Sequence, residues 1–400
     1  TSNAAHFLFQ AQSLLHGRLD IAMPASVVDV VVVHGKHYIV YPPLPAILMM
    51  PGVAIWGLHF SDVMFTLIFS ALNLPLLFFL FEQARADGLT RRGTNENVFI
   101  ALLLYFGSIN VWLSVGGKMW FTAHIICLTF TLGSLLLALR RQFTWSAVLL
   151  ACAFFSRATA LFGFPLLVYL AWQDGGAGTD LQRFLTSLRA RVPDWSAMPW
   201  RRILPVVGVA AAMLALFMVR NYAIFGSPLE SGYSVLIHQR YPVVKDGPFS
   251  LKYIPANILS NFFDTPNITF TGPFDRHPTI WMLNGGVGIS IFATTPLFLY
   301  LFWRNRTFSW LRAALWVTIG FVVAAVLLFH AAGWYQFGAR YLFDGYPFMF
   351  LLFVANETKV VVGGRRPNAV DWRILALGLL GIAVNLLGAH AFWRVPYLNL

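Results

Sequence analysis

Apolar runs, several of them about twenty residues long and so able to cross a bilayer as helices, recur between residues 62 and 393. Every second gap between them is loaded with arginine. Arg85, Arg91 and Arg92 fill the first such gap, Arg140 and Arg141 the second, and Arg183, Arg189, Arg191, Arg201 and Arg202 the third. Arg304, Arg306 and Arg312 fill the fourth, and Lys359, Arg365, Arg366 and Arg373 the fifth. Short loops rich in Lys and Arg stay cytoplasmic, so the alternation orients the chain. These five gaps are expected inside, and the gaps rich in aromatic, Gly and acidic residues outside. Any chemistry is expected on the outer face.

Composition agrees with this reading. Only 11% of the chain is charged and mean hydropathy is +0.67, against roughly 25% charged residues in soluble domains. The net charge of +12 raises the question of nucleic acid, but 17 of the 28 cations lie in the five gaps. They serve topology and the attraction to anionic lipid headgroups, so membrane lipids are expected as partners and nucleic acid is not. Cys127 and Cys152 both fall inside apolar runs, so neither a disulfide nor a metal site is expected.

The pattern predicts an all-α, polytopic transmembrane bundle with a cap built from two long extracytoplasmic loops. Residues 1–61 form the first loop, 62–220 the N-terminal membrane helices, 221–283 the long second loop and 284–400 the C-terminal membrane helices. Spans are expected at 62–82, 98–117, 119–139, 144–156, 158–172, 203–220, 284–303, 313–331, 345–358 and 374–393. The run 43–60 contains Pro43, Pro45 and Pro51 and follows Pro42, which favours an interfacial helix. The parity of the spans implies a further membrane helix ahead of residue 1.

Four outer segments carry candidate chemistry. GWYQFGARYLFDGYPF (333–348) sets Trp334, Gln336, Arg340, Tyr341 and Asp344 at a helix boundary. A cation there needs an anion: either Asp344, one α-turn on, or a lipid phosphate clamped by the guanidinium. GGKMWFTAH (116–124) brings Lys118, Trp120 and His124 to a helix end, and Arg157 stands alone between two short apolar runs. The first loop has two carboxylates, Asp20 and Asp29, followed by a hairpin-like GKHY stretch containing Tyr38. RNYAIFGSPLESGY (220–233) opens the second loop and supplies Tyr233.

In order, LLHGRLD, GKHYIVYPPLPA, FFSRAT and a late outer loop resemble the membrane-embedded glycosyltransferases of the GT-C superfamily. The likeness is to the bacterial relatives of protein O-mannosyltransferase and of the aminoarabinose transferase acting on lipid A. GGKMWFTAH, RNYAIFGSPLESGY and GWYQFGARYLFDGYPF look like an uncharacterised branch of that superfamily. The resemblance implies a bacterial inner (plasma) membrane protein that moves a sugar from a polyprenyl-phosphate donor to an acceptor on the extracytoplasmic face. A divalent metal is left open. One carboxylate must serve as base; Asp29 is the candidate, since Asp20 lies beside Arg18. Arg340, Arg157, Lys118, Gln336, Trp334, Tyr341, His124, Tyr38 and Tyr233 are the candidates for donor phosphate and sugar. The resemblance also calls for an acidic pair near the start of the first loop, where this chain has Ser2 and Asn3. That departure keeps a second reading open: a non-catalytic subunit on the same scaffold, binding lipid or bracing a membrane complex.

The alternation makes a checkable statement about position 250. A cysteine placed there is expected to escape an impermeant thiol reagent applied from the cytoplasmic side; labelling from that side contradicts the assigned orientation.

Overall fold

The computed structural model describes residues 1–24, 26–173, 199–269, 279–281, 288–302, 309–333, 336–355 and 371–394. Of these, 72% are helical and 4% lie in strands. Five helices are long and apolar enough to cross a membrane: α3 (Asp62–Ala86), α6 (Met119–Leu139), α9 (Trp200–Phe225), α13 (Trp310–Leu328) and α15 (Trp372–Arg394). Shorter helices fill in between them: α1 (His6–Leu15), α2 (Leu44–Trp56), α4 (Thr94–Phe106), α5 (Asn110–Ser114), α7 (Phe143–Phe154) and α8 (Phe164–Gln173). Later in the chain come α10 (Tyr233–Arg240), α11 (Ile254–Ile258), α12 (Ile291–Thr294) and α14 (Tyr346–Ala355).

α6 is the axis. Its apolar window is 83% buried inside the protein, against 17–33% for the other four long helices. Those four expose Leu, Val and Phe on their outer faces, as lipid-facing helices do. α3 lies parallel to α6: Thr66 and Thr122 hydroxyls meet at 2.6 Å near their N-termini, and Arg140 Nε donates to Gln83 Oε1 at 3.4 Å near their C-termini. The arginine gaps at 85–92 and 140–141 are therefore at one end of the bundle.

The opposite end carries α1, a hairpin and α2. Strands β1 (Val30–Val33) and β2 (Lys36–Ile39) pair antiparallel, with Val30 opposite Ile39 and Val33 opposite Lys36. His34 and Gly35 both adopt positive φ (49° and 74°), the two-residue turn that matches strand twist. Gln239 of α10 clamps the strand edge by accepting from Val32 N at 3.0 Å and donating to Val32 O at 2.8 Å. Arg220 of α9 donates to the carbonyls of Ile39 and Tyr41 at 3.3 Å each. These bonds join the first 61 residues to the start of the second expected loop. A second small hairpin pairs β3 (Asn267–Thr269) with β4 (Thr279–Trp281).

Several expected spans are not continuous membrane-length helices. The run 98–117 breaks at Gly107 into α4 and α5. In 284–303 the described residues 288–302 hold only α12 and a 3-10 helix, Pro296–Phe302. Pro296 lacks the N–H that would continue the helix, and Asn385 Nδ2 of α15 donates to the nearby Thr294 carbonyl at 2.6 Å. The run 345–358 yields the ten-residue α14, with Tyr346 through Val354 all buried; residues 356–358 lie outside the described residues. A helix apolar all round is a core helix as readily as a lipid-facing one.

Gly107 and Gly381 meet where α15 crosses the α4–α5 break. A Cβ on Gly381 would stand 2.7 Å from the Gly107 carbonyl oxygen, closer than packing allows. Gly381→Ala is expected to destabilise the protein by about 1–3 kcal/mol, the usual range for overpacking. Thermal unfolding in detergent checks this; an unchanged midpoint would mean that the helices do not cross so closely.

Candidate functional site

The site grows from the turn that opens the hairpin. Asp29 has φ of 58°, a left-handed conformation that Asp tolerates better than most side chains. This turns its half-buried carboxyl group inward, where Oδ2 accepts from Trp120 Nε1 at 2.5 Å. Trp120 belongs to the first turn of α6. The ring of His6, on α1, lies 6.5 Å from the Trp120 ring, fully buried and with neither nitrogen in a hydrogen bond of good geometry. Burial pushes the Asp29 carboxyl above the ordinary aspartate value, while the Trp120 hydrogen bond and the charges of Arg340 and His6 pull it back. Burial likewise lowers His6. No ion pair is made by Asp29 among the described residues.

Facing it is Arg340, which is 5% exposed and starts the 3-10 turn Arg340–Gly345. Its guanidinium carbon lies 5.1 Å from the Tyr341 ring centroid and 5.9 Å from those of Trp120 and Phe121. An aromatic cage of this kind attracts a cation through the ring quadrupoles but does not neutralise it. Nε is buried without a hydrogen bond, and no carboxylate among the described residues comes within ion-pair distance.

Asp344 goes elsewhere, which removes the first of the two partners open to Arg340, the pair with Asp344. Its Oδ1 bonds His124 Nδ1 at 2.7 Å, and its Oδ2 accepts from Arg157 Nε at 3.0 Å and from Thr159 Oγ1 at 2.5 Å. The physical reason is the turn: a 3-10 helix has three residues per turn, so residues four apart do not share a face as they do in an α-helix. Arg157 thus has a protein carboxylate, and Arg340 does not. Both guanidinium groups flank one ring, with Arg157 5.6 Å from the Tyr341 centroid. Tyr41 and Tyr233 complete the cluster within electrostatic reach of Arg157. Burial raises both of their hydroxyls well above the ordinary tyrosine value, so they remain protonated donors.

Of the residues singled out from sequence, Asp29, Arg340, Arg157, His124, Tyr341 and Tyr233 come together. Lys118 caps α6 and is buried at the junction with the start of the chain, where Met119 N bonds Ala4 O at 3.1 Å. Gln336 is buried in its own turn and donates to Ala332 O at 2.9 Å. Tyr38 is on β2, and the acid it senses is Asp20 rather than Asp29. Asp20 itself is bonded to Arg18. Trp334 lies outside the described residues. His6, Tyr41 and Thr159 belong to the cluster and were not singled out. His6 had one faint signal, a histidine at the head of the apolar stretch HFLF; Tyr41 and Thr159 had none beyond their neighbours. Among the described residues no three His, Cys, Asp or Glu side chains gather as a metal site would require.

Just beyond Thr159 an apolar groove opens between the 158–173 segment, α9 and α13. Phe162, Phe164, Val168, Val206, Ala210 and Phe321 line it, and the rings of Phe162 and Phe321 stack at 5.9 Å. The cluster therefore has a charged, aromatic side and an oily neighbour.

The fold defines a mostly helical chain of multi-pass membrane character, with five helices among the described residues long and apolar enough to span a bilayer. Comparisons with protein-family models, with curated proteins and with solved structures find no match for this chain.

The raised Asp29 value has a consequence for stability. A carboxyl group whose folded pKa lies above its unfolded one binds its proton more tightly in the fold, so it loses stability as pH rises from the unfolded to the folded value. Asp29→Asn mimics the protonated form and removes that dependence. The variant is expected to match wild type in acid and to exceed it in thermal midpoint towards neutral pH. A lower midpoint at neutral pH would mean that the ionised carboxylate is stabilised in the fold.

Proposed function

We propose that this protein is a glycosyltransferase of GT-C-like architecture that moves a sugar from a polyprenyl-phosphate donor to an acceptor on the extracytoplasmic face of a membrane. The observation that carries the reading is the mismatch at Arg340: a buried guanidinium with no anionic partner, facing a carboxylate with which it makes no ion pair. Retaining an uncompensated buried cation is costly; binding an anion there removes the cost. A phosphate ester supplies the anion, and the groove beyond Thr159 suits the prenyl chain attached to it.

In this reading the acceptor hydroxyl attacks the anomeric carbon while Asp29 takes its proton. The bond to the phosphate oxygen breaks, and the phosphate leaves with the bonding electrons. Arg340 stabilises the charge on that oxygen, so no acid is needed at the leaving group. A base held inside the protein with its pKa raised above that of an ordinary aspartate is a stronger proton acceptor for this task. Trp120, Tyr341 and Tyr233 offer ring faces and hydroxyls to the sugar. Asp344 fixes Arg157 and His124 around the same ring without meeting the substrate.

The second reading, a non-catalytic lipid-binding subunit, is favoured by one observation. Ser2, where the resemblance calls for an acid, donates its amide to Asp62 Oδ1 at 2.8 Å and its hydroxyl to Asp62 Oδ2 at 2.5 Å, and so is committed to a structural carboxylate. The two readings separate on transfer itself.

With the protein reconstituted in vesicles, Asp29→Asn is expected to abolish sugar transfer from a prenyl-phosphate donor while donor binding persists. Full transfer by that variant removes Asp29 as base; donor binding without transfer by wild type, tried against a panel of acceptors, favours the subunit. Arg340→Ala is expected to weaken donor binding by about 2–5 kcal/mol, the range for a desolvated, hydrogen-bonded charge. Arg340→Lys should lose less, since it keeps the charge but not the fork. Equal and small effects of the two substitutions would assign Arg340 to packing.

A further inference from the structure

Residues 248–263 carry their polarity inside out. Asn257 and Asn261 are 4% and 1% exposed, whereas Phe249, Leu251, Leu259 and Phe263 are 58%, 75%, 60% and 67% exposed. A segment in water does the reverse, burying Leu and Phe and exposing Asn. A segment against hydrocarbon must satisfy its polar groups within the protein.

The asparagines do this at a defined place. Asn257 Nδ2 donates to Leu327 O at 2.9 Å and to Phe329 O at 2.7 Å, carbonyls at the end of α13 that have no helical partner. Asn261 Nδ2 donates to Asn257 O at 2.8 Å. Ser250 N bonds Leu328 O and His330 N bonds Pro248 O, each at 2.9 Å. The segment is therefore pinned at the level of the last turn of α13, a membrane-length helix whose own Val317 and Phe321 point outward, 57% and 48% exposed. Lys252, the one cation between 249 and 263, is paired with Asp246 at 2.5 Å, which lowers the cost of holding it near lipid.

We propose that residues 249–263 form an interfacial segment embedded among lipid acyl chains at the bilayer boundary, anchored by Phe249, Leu251, Leu259 and Phe263. Part of the loop expected to lie wholly outside is then a lipid contact, continuous with the outer face of α13. The occupant is bilayer lipid because the pinned depth is that of the helix end and the inverted polarity has no reason to exist in water. The inference is independent of the transfer reading.

Nitroxide labels test it in the full-length protein in phospholipid vesicles, on a background with Cys127 and Cys152 replaced by Ala. Labels at 259 and 263 are compared with one at 317, on the outward face of α13. The expected result is the behaviour of 317: strong relaxation by dissolved oxygen and loss of relaxation by a chelated nickel reagent. Nickel acting at 259 and 263 as strongly as oxygen means that they face water and overturns the proposal. Shielding from both reagents means that a protein partner or a second copy covers them, and overturns it as well. Because labels can disturb packing, wild-type protein is also photolabelled with a membrane-partitioned diazirine. Adducts are expected on 249–263, and their absence there, with α13 labelled, counts against the proposal.

Discussion

Two guanidinium groups share one tyrosine ring in the interior of this protein, and Asp344 decides what each can do. By accepting from Arg157 and Thr159 on one oxygen and bonding His124 on the other, it ties three segments into one rigid corner: the central helix α6, the break after α7 and the 340–345 turn. Both oxygens are occupied, so a buried carboxylate and a buried cation are each compensated. Removing one partner of such a pair costs roughly 3–5 kcal/mol, which makes the corner a fixed point in the fold. The consequence for Arg340 follows by subtraction. Its sequence neighbour four residues on is already committed, and its charge is left to aromatic faces and to whatever anion enters.

The carboxylate opposite arrives by a different route. The hairpin that precedes Tyr41 is held at its edges by Gln239 and Arg220, so the turn at Asp29 is set by the second half of the chain as much as by the first. α1 closes over it with His6, and Trp120 of α6 supplies the hydrogen bond. One axis helix thus contributes a contact to each half of the site: Trp120 to Asp29, and His124 to Asp344. That shared helix is why two residues more than 300 positions apart can face each other across a distance set by packing rather than by an ion pair.

Much of this was legible in the sequence, and what was not has identifiable causes. The bounds of α6 follow from its apolar run and flanking charges, and the local pairing of Asp20 with Arg18 follows from their adjacency. Of the two partners open to Arg340, Asp344 is excluded by geometry the sequence does not show: four-residue spacing implies a shared face only in an α-helix, and nothing in RYLFDG announces a 3-10 turn. The break in 284–303 comes from Pro296, which an apolar run does not weigh, and the helix expected at 345–358 is present over Tyr346–Ala355 but wrapped in protein, a surrounding that hydropathy does not tell from lipid. Tyr41 and Thr159 lie inside GKHYIVYPPLPA and FFSRAT, yet nothing local singles them out within those stretches; their place in the cluster comes from chain pairing over long range. The inverted polarity of 248–263 is equally silent in sequence, since it is defined by which side chains are buried and not by which are present.

The central claim is that Arg340, not Arg157, is the guanidinium left open for a phosphate, with Asp29 across from it. A structure of the protein with a bound prenyl monophosphate tests this most directly. The account predicts the phosphate within hydrogen-bond distance of Arg340, the prenyl chain in the groove lined by Phe162 and Phe321, and the Arg157–Asp344 pair intact. A phosphate bound elsewhere, or Asp29 and Arg340 closed on each other in an ion pair that excludes it, would contradict the account.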